Sequence, residues 1–264
     1  MMTYKRKEVI GPHTLYLGNC LEIMKSLGRF SHIVSDPPYE NWMHAAKNSK
    51  SGPSRIDGGP TLKSLDFKSI DEIREPFVHC VEQLCDGWLI VFCTPEGIAK
   101  WADEINCSAL RYKRACVWVK PDATPQLNGQ GPAQGAENIV TAWCGSGYSK
   151  WNAGGKRGVY THLTNNKDRH GEHPTEKPVS LMMELLSDFT SGGDAVLDPF
   201  MGSGTTGVAC QKLDRRFTGI EVSEKYFDIA CQRIEEAMRQ PDLFMGERKK
   251  ADQLSMDMTC AQGN

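Results

Sequence analysis

Ser31-His-Ile-Val-Ser-Asp-Pro-Pro-Tyr39 is the stretch around which the rest of the chain is organised. The apolar, β-branched pair Ile33 and Val34 predicts the end of a buried strand. Asp36 and the two prolines then end that strand, because proline has no N–H to donate to a neighbouring strand. The expected result is a stiff loop at the carboxyl end of a strand, where open α/β sheets bind ligands. The alternative is a proline-terminated strand with a capping aspartate and no chemical role.

The composition indicates one large domain, or one domain with an insertion. The chain has 264 residues, of which 39% are hydrophobic and 24% charged, and its net charge is −2. It has no apolar run of transmembrane length and no apolar segment of a signal peptide after its basic start, so we predict a cytoplasmic protein without membrane association. The ten cysteines include no Cys-x-x-Cys pair. This favours a reducing compartment and predicts no metal site.

Strands and helices alternate along the chain, which predicts an α/β fold with a doubly wound, mostly parallel sheet. The segments predicted as strands are 14–17, 30–35, 88–93, 111–119, 138–143, 195–200 and 217–221. Residues 1–240 are assigned to this domain. Residues 241–264 show no periodicity and are predicted to be a disordered tail.

A second motif, Met201-Gly-Ser-Gly-Thr-Thr-Gly207, follows a predicted strand and opens a predicted helix. Glu221 ends the next predicted strand, 19 residues after Gly202. This spacing is typical of a nucleotide site, in which glycines let the backbone approach the ligand and a carboxylate binds ribose hydroxyls. The motif leaves NAD, S-adenosylmethionine and a ligand-free packing turn open. Only one strand–helix unit follows it, which indicates a circularly permuted sheet.

Four motifs follow one another along the chain: Asp36–Tyr39, His173-Pro-Thr-Glu-Lys-Pro178, Asp198-Pro-Phe-Met-Gly-Ser-Gly204 and Gly219-Ile-Glu221. In this order they resemble the amino-group DNA methyltransferases of the β arrangement, in which the catalytic Pro-Pro loop precedes the glycine turn. The resemblance covers roughly residues 14–240 and implies a seven-stranded, mixed S-adenosylmethionine-dependent methyltransferase sheet. It also implies a prokaryotic or phage-encoded enzyme acting on double-stranded DNA, with a small recognition insertion at about 121–172. A homodimer and a restriction partner stay open.

The resemblance assigns catalysis to Asp36, Pro37, Pro38 and Tyr39. The exocyclic amine of adenine or cytosine is a poor nucleophile, because its lone pair is delocalised into the ring. The Asp36 carboxylate and the Pro37 carbonyl are expected to accept its hydrogen bonds and to favour the positive charge that develops on nitrogen. Tyr39 would stack on a base flipped out of the duplex, and Pro38 would stiffen the loop. Asp36 favours adenine N6 over cytosine N4, since many cytosine enzymes of the family have serine there.

The resemblance also implies a site for S-adenosylmethionine. Its expected residues are Asn19, Cys20, Asp36, Thr175, Lys177, Asp198, Phe200, Gly202, Gly204, Glu221 and Val222. Glu221 would bind the ribose hydroxyls, while Thr175 and Lys177 would reach the methionine end. A solvated charge is the alternative for Lys177. Asn19 stands where the family commonly has an aspartate that binds the adenine amino group, and its amide oxygen is an acceptor too.

Basic residues interleaved with aromatic ones predict where DNA lies. Residues 111–170 contain nine basic and three acidic side chains. The predicted DNA contacts are Lys47, Arg55, Arg114, Lys120, Lys150, Trp151, Lys156, Arg157 and Arg169. A solvated surface is the alternative for any single lysine. The short recognition region predicts modest sequence discrimination.

The tail contains Gln240-Pro-Asp-Leu-Phe244, which is similar to the short peptide by which bacterial DNA enzymes bind the replication sliding clamp. Alternatively, Leu243 and Phe244 fold back onto the edge of the sheet. Two other functions stay open at this point. One is methyl transfer to structured RNA or to a protein glutamine, although the glutamine enzymes carry asparagine at the position of Asp36. The other is an NAD-dependent enzyme or nucleotide-binding module.

Overall fold

The computed structural model describes residues 3–38, 70–123, 131–164 and 176–239. The strands in these ranges are β1 (Arg6–Ile10), β2 (His13–Leu17), β3 (His32–Ser35), β4 (Trp88–Cys93), β5 (Arg111–Val119), β6 (Ala136–Trp143), β7 (Val159–Thr161), β8 (Ala195–Asp198) and β9 (Arg216–Glu221). The helices are α1 (Cys20–Met24), α2 (Ile70–Leu84), α3 (Gly97–Asn106), α4 (Val179–Phe189), α5 (Thr205–Lys212) and α6 (Glu224–Arg239).

The strands form one mixed sheet in the order β1-β2-β9-β8-β3-β4-β6-β5-β7. The five neighbours from β2 to β4 run parallel, whereas β6 runs antiparallel to both β4 and β5. Every residue of β4 is buried, as expected for a central strand covered on both faces. The α/β architecture with a mostly parallel, doubly wound sheet is therefore confirmed.

Helices cover both faces of the sheet. Helices α4, α5 and α6 pack over one face, around buried residues such as Leu185, Phe217 and Phe227. Helices α1, α2 and α3 pack over the other, where Phe77 and Trp101 are fully buried. The two apolar layers hold the strand ends in fixed relative positions, on which the site described below depends.

The parallel strands end along one side of the sheet, which we call the carboxyl edge. In spatial order their last residues are Leu17, Glu221, Asp198, Ser35 and Cys93. From the centre, the chain passes from β3 to β4 in one direction and from β8 to β9 in the other. The crevice between β3 and β8 is thus a topological switch point, where open α/β sheets bind ligands.

Two strands were not predicted from the sequence, so the described sheet has nine strands rather than seven. Strand β1 is rich in charge, with Arg6, Lys7 and Glu8 in succession, which is common in an edge strand half exposed to water. Strand β7 has only three residues. The predicted insertion at 121–172 also needs correction, because β6 lies inside it and occupies an interior position in the sheet. Among the described helices, none combines the length and apolar character required to span a bilayer.

Candidate active site

Three carboxylates lie side by side at the carboxyl edge. Asp198 ends β8, Glu221 ends β9, and Asp36 directly follows β3. Because these strands are neighbours, the three groups face one crevice at the switch point. Asp198 and Glu221 are 3% and 8% exposed, which is unusual for carboxylates and marks a candidate functional site.

Asp36 is held on one side by a buried lysine. The Lys177 ammonium nitrogen Nζ lies 2.5 Å from Oδ2 of Asp36 and 3.3 Å from Oε2 of Glu137. The other oxygen of Asp36, Oδ1, is buried and has no hydrogen-bond partner among the described residues. An unpartnered buried acceptor is costly. Oδ1 is therefore the natural acceptor for a hydrogen bond from a ligand.

The charges of this pair depend on each other. Burial raises the pKa of Asp36, and the Lys177 ammonium opposes that rise. Burial alone would lower the pKa of Lys177, but Asp36 and Glu137 outweigh it and raise that pKa. Lys177 therefore stays protonated and forms an ion pair with Asp36. The alternative of a solvated charge for Lys177 is wrong, because its side chain is buried. Its ammonium, which was predicted to reach the methionine end of the cofactor, forms ion pairs with Asp36 and Glu137.

Backbone N–H groups fix the carboxylate of Glu221. Its Oε1 accepts hydrogen bonds from Val222 at 3.0 Å and Ser223 at 2.8 Å, and its Oε2 accepts one from Gly202 at 3.0 Å. Burial raises the pKa of Glu221, and these three bonds oppose the rise. Among the described residues Oε2 accepts one hydrogen bond, and it so retains acceptor capacity for a ribose hydroxyl.

The glycine turn leaves no room for larger residues. Gly204 has φ of +82°, and a Cβ atom there would lie 2.8 Å from the Cβ of Ala230. Arg233 of α6 donates to the carbonyl and the hydroxyl of Ser203, each at 2.8 Å. Arg233 also pairs with Glu176 at 2.6 Å. Arg233 therefore ties the segment around Lys177 to the glycine turn, a link that sequence spacing does not reveal.

Asp198 lies between the other two carboxylates. Its Oδ2 accepts from the Thr206 hydroxyl at 2.6 Å, and its Oδ1 accepts from the backbone N–H of Phe200 at 3.1 Å. Burial raises the pKa of Asp198 to about 7, although both hydrogen bonds oppose the rise. Near neutral pH the charged form is thus barely favoured in the absence of a cation.

Asp198→Asn is expected to stabilise the protein without cofactor more at pH 8 than at pH 5. The folded pKa of about 7 exceeds the ordinary value of 3.8, so the unfolded state releases its proton first and stability falls as pH rises between these values. Asparagine removes this penalty, and the gain in unfolding free energy should grow by about 3 kcal/mol between the two pH values. Urea titrations at both pH values measure it; an equal gain at both would contradict the assignment.

The charge of the site distinguishes between the two candidate cofactors. The N-terminus of α5 alone would suit a pyrophosphate, but Asp198 and Glu221 beside it repel an anion when they are charged, whereas a cation favours their charged forms. S-adenosylmethionine carries a sulfonium and an ammonium, whereas NAD carries an anionic pyrophosphate. The half-exposed side chain of Val222 and the ring of Phe200, which packs on Phe77 at 5.7 Å, add apolar surface. The residues therefore fit S-adenosylmethionine.

Other predicted cofactor residues have specific local roles. The side-chain oxygen of Asn19 caps α1 by accepting from Leu21 at 2.9 Å and Glu22 at 3.3 Å. Because these bonds occupy that oxygen, Asn19 would contact an adenine through its amide NH2, as a hydrogen-bond donor. Burial raises the pKa of the Cys20 thiol to about 12, so this residue stays neutral.

Of the predicted catalytic residues, Pro37 is buried and Pro38 is half-buried beside Asp36. Tyr39, His173, Thr175 and Gln240–Phe244 lie outside the described residues.

The predicted DNA contacts separate into distinct groups. Lys120 forms a hydrogen-bonded ion pair with Glu137, and Lys156 pairs with Asp188 at 2.5 Å and with Glu184 at 2.7 Å. Both ammonium groups are thus engaged by protein carboxylates, and we remove them from the proposed DNA surface. Arg114 and Arg157 are exposed. Lys47, Arg55 and Arg169 lie outside the described residues.

Lys150 and Trp151 lie at the opposite edge of the sheet. The backbone carbonyl of Lys150 accepts a hydrogen bond from the indole of Trp88, and Trp88 is the first residue of β4. Trp151 packs edge-on against Phe189, with ring centroids 4.8 Å apart. Both residues therefore lie at the edge opposite Asp36, and we do not include them in the DNA surface proposed beside the catalytic loop.

In the part of the chain that the structure covers, no cluster of three or more His, Cys, Asp or Glu side chains is suited to a metal ion. Glu137 and Arg233 are the site residues that the motifs did not reveal. Both act through contacts with distant parts of the chain. Their neighbours in sequence carry no pattern that would have identified them.

Comparison with known proteins places this geometry in context. A family model described as "DNA methylase" matches residues 30–232. The Type II methyltransferase M2.DpnII of Streptococcus pneumoniae is 28% identical over 218 residues, which cover 77% of this chain and 81% of the relative. The crystal structure of an M1.HpyAVI–SAM complex aligns with a TM-score of 0.66 and 26% identity, covering 84% of this chain and 98% of that one. PvuII DNA methyltransferase, described as cytosine-N4-specific, shares the fold with a TM-score of 0.66, 17% identity and 94% coverage of both chains.

Proposed function

We propose, since the chain belongs to the DNA methylase family, that this S-adenosylmethionine-dependent methyltransferase modifies the N6 amine of adenine in double-stranded DNA. The observation that supports this proposal most is the buried Oδ1 of Asp36, which has no hydrogen-bond partner among the residues that the structure describes. It lies on a loop at the switch point, beside the cofactor carboxylates. An exocyclic amine donating to this oxygen would satisfy it.

The residues of the site promote the reaction by position and charge. S-adenosylmethionine supplies a methyl group activated by its sulfonium. Asp36 accepts an N–H of the amine through Oδ1 and stabilises the positive charge that develops on nitrogen. Its raised pKa also makes it a competent acceptor for the proton that the nitrogen loses. Lys177 keeps Oδ2 occupied, so that Oδ1 is the oxygen of Asp36 that the amine meets.

Adenine is the proposed base because an aspartate opens the catalytic loop. Cytosine N4 is an exocyclic amine of the same kind, so the geometry around Asp36 would serve it also. The similarity to a Type II methyltransferase supports a role beside a restriction enzyme. Binding to a sliding clamp through Gln240–Phe244 and assembly into a homodimer stay proposals from the sequence.

Methyl-labelled S-adenosylmethionine tests the substrate class. Purified protein should transfer label to unmodified duplex DNA, and not to structured RNA or to a glutamine-containing protein. Calorimetry should show binding of S-adenosylmethionine and none of NAD. Transfer to RNA or protein in preference to DNA would contradict the proposed substrate, and binding of NAD alone would contradict the cofactor assignment.

Affinity for DNA is expected to fall steeply with salt, through basic residues that lie near the catalytic loop or near the His173–Pro178 motif in sequence. Each phosphate contact contributes about 0.9 to the slope of log K against log salt. Replacing Lys47, Arg55 or Arg169 by glutamine should reduce the slope by about that amount for each lost contact. Lys150→Gln, at the opposite edge, is the matched control. Fluorescence anisotropy at several salt concentrations measures the slope. An equal reduction of the slope in Lys150→Gln would contradict the assignment of Lys47, Arg55 and Arg169 as the phosphate contacts.

A further inference from the structure

Four charges of alternating sign, of which Asp36 is the first, lie along the carboxyl edge. Lys177 bridges Asp36 and Glu137, and Glu137 forms a second ion pair with Lys120. Glu137 is near the start of β6 and Lys120 directly follows β5. The chain of contacts therefore runs from the switch point across β4 to β6 and β5.

These groups are withdrawn from water and packed against aromatic rings. The side chain of Lys177 is 8% exposed, and those of Lys120 and Glu137 are 14% and 13% exposed. Lys177 Nζ lies 5.1 Å from the ring centroid of Phe92, and Lys120 Nζ lies 4.6 Å from that of Trp118. Charges so placed are held strongly by their partners, because water screens them little.

The position of Glu137 explains why Asp36 is bound through one oxygen only. An ammonium beside a single carboxylate can donate hydrogen bonds to both of its oxygens. Glu137 attracts Lys177 from the other side, and Lys120 holds Glu137 in place. Lys177 consequently contacts Oδ2, and Oδ1 is left unpartnered in the described structure.

We propose that Glu137 and Lys120 are positioning residues for methyl transfer, which hold Lys177 on Oδ2 of Asp36 so that Oδ1 faces the amine. This inference rests on the proposed function. It assigns a chemical role to a buried ion pair that reaches Asp36 through Lys177. It also explains why Lys120, predicted to bind DNA, points its ammonium into the protein.

The pH dependence of Asp36 distinguishes this role from simple structural support. The charged groups that act on Asp36 and its neighbours are Lys177, Glu137, Lys120 and Asp198. Glu137 raises the pKa of Asp36, and Lys120 lowers it. Glu137→Gln should therefore move the titration of Asp36 to lower pH, and Lys120→Met should move it to higher pH, each by about half a pH unit.

The experiment measures the Asp36 titration and the reaction rate on the same variants. The carboxyl carbon of Asp36 is followed by NMR in the protein without substrates, with its signal assigned by Asp36→Asn. Single-turnover methyl transfer is measured against pH on duplex DNA. Glu137→Gln should slow the transfer about tenfold with little change in the KM for S-adenosylmethionine, because a misplaced acceptor affects the chemical step.

Glu184→Gln is the matched control. Glu184 also pairs with a lysine and a histidine, Lys156 and His162, but with no residue of the catalytic loop. Opposite shifts in the two test variants and none in the control support the proposal. Shifts of the same sign, or none, overturn it. The NMR titration needs no DNA, so a failure of the proposed function would appear separately, as absent transfer by the wild-type protein.

Discussion

Replacing Asp36 with alanine is expected to slow methyl transfer by a factor of about 10² to 10³ or more, because a preorganised acceptor for the reacting amine is lost. Binding of S-adenosylmethionine should change by no more than a few-fold, since Glu221 and the glycine turn are left intact. Single-turnover transfer of labelled methyl to duplex DNA measures the first quantity, and calorimetry measures the second.

Asp36→Asn provides the matched control for this variant. It preserves the size of the side chain and one acceptor oxygen, but it removes the charge that pairs with Lys177 at 2.5 Å. If charge is essential, Asn should be nearly as slow as Ala. Near wild-type turnover by Asp36→Ala would show that this loop is not catalytic.

Glu221→Ala is expected to weaken S-adenosylmethionine binding by about 1.5–3 kcal/mol, the value of a charge-assisted hydrogen bond. This corresponds to roughly a 10- to 150-fold rise in Kd. In the wild-type protein the backbone N–H groups of Gly202, Val222 and Ser223 donate hydrogen bonds to this carboxylate. The variant removes these bonds, so the glycine turn is held less firmly.

Calorimetry on Glu221→Ala and on Glu235→Ala separates a local effect from a general one. Glu235 is an exposed carboxylate of α6 that pairs with Arg239, and its loss should leave the affinity unchanged. Unchanged affinity in Glu221→Ala would place the ribose elsewhere and contradict the cofactor site.

The central parts of the fold follow from local sequence patterns. The apolar run at Trp88–Cys93, the prolines after Asp36 and the glycine turn before α5 each carry a signal within a few residues. Each of these elements has the predicted type.

The pairings within the site depend on tertiary structure and could not be predicted in this way. Asp36 and Lys177 are 141 positions apart in the chain, and Glu137 meets Lys177 only because β6 lies beside β4. A spacing rule has no information on such contacts. The predicted role of Lys177 at the cofactor was for this reason incomplete.

The direction of one strand accounts for the position of Lys150 and Trp151. Strand β6 runs antiparallel to β4, and Trp143 at its end pairs with Trp88 at the start of β4. The segment after β6 therefore emerges at the edge opposite Asp36. The composition of a basic and aromatic segment is the same whichever edge of the sheet it occupies. The direction of the preceding strand, which composition does not reveal, decides the edge.

The most direct test of the account is the identity of the methylated nucleoside. Duplex DNA is incubated with the protein and S-adenosylmethionine, digested to nucleosides and measured by mass spectrometry, with Asp36→Ala in parallel. The account predicts N6-methyldeoxyadenosine with the wild-type protein and a loss of at least about 10²-fold with the variant. Methylation of a ring carbon, or the same product yield from Asp36→Ala, would contradict it.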